Sequence, residues 1–231
     1  VDRLIKFKVK AFKVGSGECN NYPLLDYIAS FKKPIILSTG MNDLKSIKKS
    51  IKILKKRKVK FAILHTTNLY PTPHNLIRLN ALNEIKKNFP KTVFGLSDHT
   101  GENFTSFAAV AMGASIIEKH FIDKSTRKGP DISASVNSNQ MKELMRGTYL
   151  IHKAKPGGIQ PVEEEKKTAE FAFASVVSDR DIAKGEILSN DNIWVRRPGN
   201  GDFSAEQLTK LIGKKVKKKI KKNTQIKKKH F

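Results

Sequence analysis

Apolar and polar positions along the first two thirds of the chain alternate in blocks. Short apolar runs at residues 11–14, 34–37, 59–64, 92–96 and 114–117 recur at a fairly regular interval. The segments between them carry the i, i+3, i+4 spacing of amphipathic helices: 23–31, 43–56 with Asn42 or Asp43 as N-cap, 79–88, and 103–112 with Gly113 as a C-terminal stop. A segment at 1–8 precedes them and one at 141–153 follows, both helical in pattern. Continuous apolar runs are the mark of strands buried on both faces, and their alternation with helices predicts a parallel sheet with right-handed crossovers.

Gly15-Ser16-Gly17 lacks the third glycine and the downstream acidic partner of a dinucleotide fingerprint. Polar residues instead gather at the end of every run: Lys13 and Ser16, Ser38 and Thr39, His65 to Asn68, Ser97 to His99, Glu118 to His120. A site assembled from several strand ends is what an α/β barrel of the (β/α)₈ TIM type produces. A complete barrel takes ~250 residues, or roughly 31 for each βα unit. Residues 1–155 suffice for roughly five units on that scale, the last five strands of a barrel lacking its first three.

Past residue 155 the texture changes. Lys155-Pro156-Gly157-Gly158 and the acidic run Glu163-Glu164-Glu165 read as a linker over 156–169. From 170 to 231, short β-like pieces at 171–177 and 193–196, Gly-rich turns and a helix at 204–212 predict a second, small, β-rich domain, with Val216 and Ile220 half-buried on a strand.

With 231 residues, 39% of them hydrophobic, the chain has material for a sizeable core. No stretch has the length of a membrane span, residues 1–6 do not form a signal peptide, and the single Cys19 permits no internal disulfide, which together predict a cytoplasmic protein. The net charge of +24 raises nucleic acid as a partner. Only eight of the 45 basic residues are arginine, the side chain suited to bidentate phosphate and base contacts, and the lysines fall opposite the apolar stripes of helices. The charge reads as a solvated surface, with polyanion binding a side effect.

His99 and His120 each follow a run, so two neighbouring strands bring imidazoles to one end of the sheet, an arrangement suited to a shared metal. Lys13 stands inside an apolar run and requires an anion.

Phe12-Lys13-Val14-Gly15-Ser16-Gly17-Glu18, Leu37-Ser38-Thr39-Gly40-Met41, Leu64-His65-Thr66-Thr67-Asn68-Leu69-Tyr70-Pro71, Gly95-Leu96-Ser97-Asp98-His99-Thr100, Glu118-Lys119-His120-Phe121 and Gly129-Pro130-Asp131 resemble, in order and spacing, motifs of the sialic acid (N-acetylneuraminate) synthases. Asp181-Ile182-Ala183-Lys184-Gly185-Glu186 and Val195-Arg196-Arg197-Pro198-Gly199-Asn200-Gly201 resemble their antifreeze-like (SAF) domain. The resemblance implies condensation of phosphoenolpyruvate with an N-acetylated hexosamine, N-acetylmannosamine or a relative, with release of phosphate. It implies His99 and His120 as ligands of a divalent metal, Mn2+ first and Mg2+ or Co2+ as alternatives. Lys13, Ser16, Ser38 and Ser97 fall to phosphoenolpyruvate. Asn68, Tyr70, Asp131 and Arg197 fall to the sugar, with Arg197 reaching a neighbour's barrel in a domain-swapped homodimer. Asp131 and Glu18 are the implied catalytic carboxylates, and Glu118 an accessory one.

The resemblance also implies groups on three earlier strands, a glutamate, a second lysine and a hydroxyl, that these 231 residues do not supply, so the chain reads as a fragment or truncated form. Phe171-Ala172-Phe173-Ala174-Ser175 stands where the family carries arginines. Legionaminate or pseudaminate synthesis, or an inactive basic remnant that binds polyanions, are the alternative functions.

Overall fold

The structure is a computed structural model, describing residues 1–124 and 126–231, and it divides into two compact units, Val1–Pro156 and Gly157–Phe231. In the first, six strands lie in sequence order and all pair in parallel: β1 (Phe12–Val14), β2 (Ile35–Ser38), β3 (Phe61–His65), β4 (Val93–Asp98), β5 (Ile116–Phe121) and β6 (Ser135–Val136). Helix α1 (Asp2–Lys6) leads in. Helices α2 (Tyr22–Ser30), α3 (Leu44–Lys56), α4 (Ala81–Asn88) and α5 (Phe104–Ala111) join the first five strands, and α6 (Ser138–Ala154) follows β6. The sixth strand has no counterpart among the five expected. Its two residues are too few to form an apolar run, and it exists because His120 and Phe121 pair with Ser135 and Val136.

Strand side chains alternate strictly. Phe12, Val14, Ile35, Leu37, Ile63, Phe94 and Leu96 turn toward the helices and pack with Leu25, Ile51, Leu54 and Leu82 into one core. In α3, Ile47, Ile51 and Leu54 are buried and all six lysines are exposed. Its start is set by Asp43, whose carboxylate accepts from the Ser46 amide at 2.7 Å. At the far end of α5, Gly113 takes φ +110°, a conformation that would strain any side chain. The opposite face of the sheet is concave: Lys13 on β1 reaches Glu118 on β5 at 3.3 Å, which a flat sheet would hold far apart.

In the second unit, α7 (Lys166–Ala172) is followed by the antiparallel pair β7 (Ser175–Ser178) and β8 (Ile193–Arg196), then by α8 (Leu208–Leu211). The aromatic piece expected as strand from 171 is therefore helical in its first two residues. Lys166-Lys167-Thr168-Ala169-Glu170 favours helix, and Phe171 and Phe173 stay exposed instead of packing on a sheet. Val216 and Ile220 are buried with Val176, Ile182, Leu188, Ile193, Leu211 and Ile226, yet their segment makes only isolated bridges, such as Ile182 with Ile220, and no continuous strand. Among the described residues no helix is long and apolar enough to cross a membrane.

Two outcomes test this architecture. A Cβ on Gly95 would lie 2.0 Å from the Ile116 carbonyl of the paired strand, so Gly95→Ala should force β4 and β5 apart. We expect a loss of about 1–3 kcal/mol or more in denaturant unfolding; unchanged stability would contradict the strand register. In the second unit, Glu186 accepts from Arg180, the Ala183 amide and Asn192, which lower its pKa from 4.5 to about 2. Its contribution to stability is complete above pH 4.5 and lost as pH falls toward 2. The thermal midpoints of the wild type and Glu186→Gln should therefore differ at neutral pH and converge across that window.

Candidate active site

At the C-terminal ends of β4 and β5, Ser97 lies opposite Glu118 and Asp98 opposite Lys119. The next residue in each case is a histidine, His99 just past the end of β4 and His120 within β5, and the alternation of faces returns both imidazoles to the concave side, with ring centroids 5.2 Å apart. Tyr70, from the loop after β3, stacks on His99 at 4.3 Å and meets His120 edge-on at 5.5 Å. Asp131 lies 3.9 Å from His120 Nδ1.

His99 is held on every side. Its carbonyl accepts from the Thr72 amide at 3.0 Å, and its Nδ1 lies 2.9 Å from the Thr67 carbonyl. A carbonyl only accepts, so Nδ1 carries the proton and Nε2 presents a lone pair. The one hydroxyl hydrogen of Ser97 goes to Glu118 at 2.7 Å, and its 3.5 Å approach to Nε2 is too long to occupy that lone pair. Burial lowers the His99 pKa, against the Thr67 hydrogen bond, so the ring is neutral at pH 7. An oriented, neutral imidazole whose other nitrogen is tied to a carbonyl is the state that binds a metal.

The anion that Lys13 requires is Glu118, at 3.3 Å, and Lys13 also donates to Ser38 at 2.9 Å. A continuous polar chain thus runs Ser38–Lys13–Glu118–Ser97 beside the histidines. Burial, then the Asp131 and Glu118 carboxylates, push the Tyr70 phenol above its ordinary range and keep it protonated. A cleft of about 510 Å³ opens alongside, bordered by His120, Arg127, Pro130 and Asp131.

Other expected residues stand apart from this cluster. Ser16 accepts from the Gly40 amide at 3.0 Å. Asn68 covers Gly40 so closely that a Cβ there would fall 2.3 Å from Asn68 Oδ1, a buried oxygen with no partner. Glu18 is exposed and accepts from Asn21 at 2.6 Å. Arg197 is exposed on the second unit.

On the helix side of the same strand ends lies a feature the sequence reading passed over. Asp98 and Lys119 form an ion pair at 3.0 Å with their side chains almost wholly buried. Burial alone would raise the Asp98 carboxyl; Lys119 and the Ser106, Thr105 and Thr100 donors outweigh it and hold the pKa below the ordinary value. The alternation Ser97-Asp98-His99 against Glu118-Lys119-His120 carried the signal, since the middle residue of each triplet must face the helices.

The neutral Nδ1–H tautomer of His99 should be visible in long-range proton–nitrogen correlation spectra at pH 7. An Nε2–H pattern, or a protonated ring at that pH, would contradict the arrangement.

Comparison with known proteins matches the NeuB family over residues 1–160 and the SAF domain over residues 173–231. The chain is 40% identical over 230 residues to an N,N'-diacetyllegionaminic acid synthase of Campylobacter jejuni, covering 98% of this chain and 68% of that protein. It is 34% identical over 217 residues to the human N-acetylneuraminate-9-phosphate synthase, covering 94% of this chain and 60% of that protein. A crystal structure of an N-acetylneuraminic acid (sialic acid) synthetase from Leptospira borgpetersenii superposes with a TM-score of 0.69 at 30% identity, over 73% of this chain and 59% of the other. The chain thus spans roughly two thirds of the length of these curated relatives. With a matching family profile over residues 1–160 and this level of identity to its named members, the chain belongs to the NeuB family and carries a SAF domain.

Proposed function

We propose that this site serves a nonulosonate synthase reaction: phosphoenolpyruvate condenses with the open-chain aldehyde of an N-acetylated hexosamine. The methylene carbon of phosphoenolpyruvate bonds to the aldehyde carbon, whose oxygen takes up a proton. Water adds to the other, phosphate-bearing carbon, whose bond to the phosphate oxygen then breaks; the added oxygen becomes the keto oxygen and inorganic phosphate leaves with the remaining proton. The observation that carries the reading is the juxtaposition, on one concave face, of a lysine, hydroxyls, two facing imidazoles and an aspartate.

Lys13, with Ser38 and Ser97 beside it, supplies the cation and hydroxyls for the phosphate and carboxylate of phosphoenolpyruvate, with Ser16 at the edge of that cradle. His99 and His120 would hold a divalent metal, Mn2+ before Mg2+ or Co2+. His99 is neutral with Nε2 free, and two imidazoles would leave the remaining positions of such an ion to substrate oxygens. When bound, such an ion polarises the aldehyde oxygen. Asp131, beside His120, is the group that moves a proton at that oxygen, and Tyr70 and Asn68 hold the sugar. The adjoining cleft has a volume in the range of small-molecule sites. Glu18 enters this reading as a carboxylate of the same β1 loop, and Arg197 as a sugar contact from a second copy in a domain-swapped cytoplasmic homodimer. The identity of 40% to a diacetyllegionaminic acid synthase favours a diacetylated acceptor as the second reading.

Phosphate release from phosphoenolpyruvate with Mn2+ should depend on the acceptor, tested across N-acetylmannosamine and diacetylated hexoses. His99→Ala should reduce it on the order of 100-fold or more, and Lys13→Met should weaken phosphoenolpyruvate binding roughly tenfold or more by calorimetry. Mn2+ binding and phosphoenolpyruvate binding that are both indifferent to these changes, with salt-sensitive nucleic-acid binding in their place, would move the function to the polyanion reading.

A further inference from the structure

A buried ion pair needs a reason beyond stability, because desolvating two charges offsets most of what their attraction supplies. Asp98 and Lys119 are the residues directly preceding His99 and His120, and they are partners across the β4–β5 ladder. Each is tied further. Asp98 accepts from the Thr100 amide and hydroxyl, both at 2.8 Å, from Thr105 at 2.6 Å and from Ser106 at 2.7 Å. Lys119 donates to Thr100 Oγ1 at 3.0 Å and to the Glu102 carbonyl at 2.6 Å. The turn carrying His99 is thereby wrapped around the side chain that precedes His120, and Thr100, the residue after His99, touches both charges. Together with the backbone ladder and the Ser97–Glu118 hydrogen bond on the opposite face, this pair ties the two strand ends to each other.

We propose that Asp98 and Lys119 are positioning residues that hold the His99 and His120 imidazoles at their mutual spacing, on the opposite face of the sheet from the substrates. The inference rests on the reading of the two histidines as metal ligands, and it concerns their alignment. Removing Lys119 leaves Asp98 its four oxygen and nitrogen donors, so α5 and its turn stay anchored while the tie to β5 is lost.

The test compares the full chain with Lys119→Met, Asp98→Asn/Lys119→Met, His99→Ala, and Leu25→Ala as a core truncation on α2 away from the strand ends. Mn2+ affinity is read by electron paramagnetic resonance, and histidine ring shifts and ring-to-ring Overhauser effects are read without metal. We expect a loss of about 10- to 100-fold in Mn2+ affinity for both Lys119 variants, with altered histidine ring signals. Leu25→Ala, compared at similar thermal stability, should change neither. If Lys119→Met does not fold, Thr100→Val carries the same comparison, since it removes the bridging hydroxyl and keeps both charges. Full Mn2+ affinity and unaltered ring signals in the Lys119 variants, with binding lost in His99→Ala, would overturn the positioning role alone. Mn2+ binding that His99→Ala leaves intact would overturn the metal reading on which it stands.

Discussion

A strand that slips by one residue turns every side chain to its other face, and the chemistry of this chain depends on β4 and β5 not slipping. In the observed register Ser97, Glu118, His99 and His120 share the concave face, while Asp98 and Lys119 share the helix face. A one-residue shift of β5 would send Glu118 and His120 among the helices and bring Lys119 into the interior. Three features act against it independently. Gly95 leaves clearance only for a backbone opposite Ile116, Ser97 donates to Glu118, and Asp98 meets Lys119 on the far side. Steric fit, hydrogen bonding and charge thus select the same alignment, the agreement across levels that makes a native arrangement unique.

The two ion pairs near these strand ends have opposite characters, and exposure explains the difference. The side chains of Lys13 and Glu118 are 34% and 40% exposed, whereas those of Lys119 and Asp98 are 1% and 0% exposed. A solvated pair contributes little and exchanges partners readily. Breaking a buried one strands a charge in a medium that cannot screen it. Glu118 is therefore the more easily displaced partner of the two, and Asp98 the one held in place. One sheet carries a half-exposed cation on the face that meets solvent and a buried one on the face that meets the helices.

The pattern of apolar runs made β1 to β5 legible because buried parallel strands leave continuous hydrophobic stretches. It did not reveal β6, whose existence depends on backbone pairing with His120 and Phe121 and not on its own two side chains. The need of Lys13 for an anion was evident from its apolar neighbours, but Glu118 as that anion was not, since it requires the sheet to curl from β1 round to β5. Phe171 and Phe173 misled in the other direction: aromatic residues favour strands only where a surface receives them, and these two remain in solvent while helix formers before them set the conformation. Glu18 stood in a matching motif, yet its carboxylate accepts from Asn21, three residues further along the chain, a purely local choice no spacing rule predicts.

Lysine abundance illustrates the same dependence on position. The six lysines of α3 all project into water opposite Ile47, Ile51 and Leu54, as any polar residue would. They raise the isoelectric point and the surface potential without assembling a site. Lys13 and Lys119 differ from them only in standing on strands, where the alternation of faces delivers each ammonium to a carboxylate. The same side chain is solvent-facing charge on a helix, a half-exposed ion-pair partner on the concave face of a sheet, and a buried one on its convex face. The strand on which a lysine falls, and the parity of its position there, decides which of these it becomes.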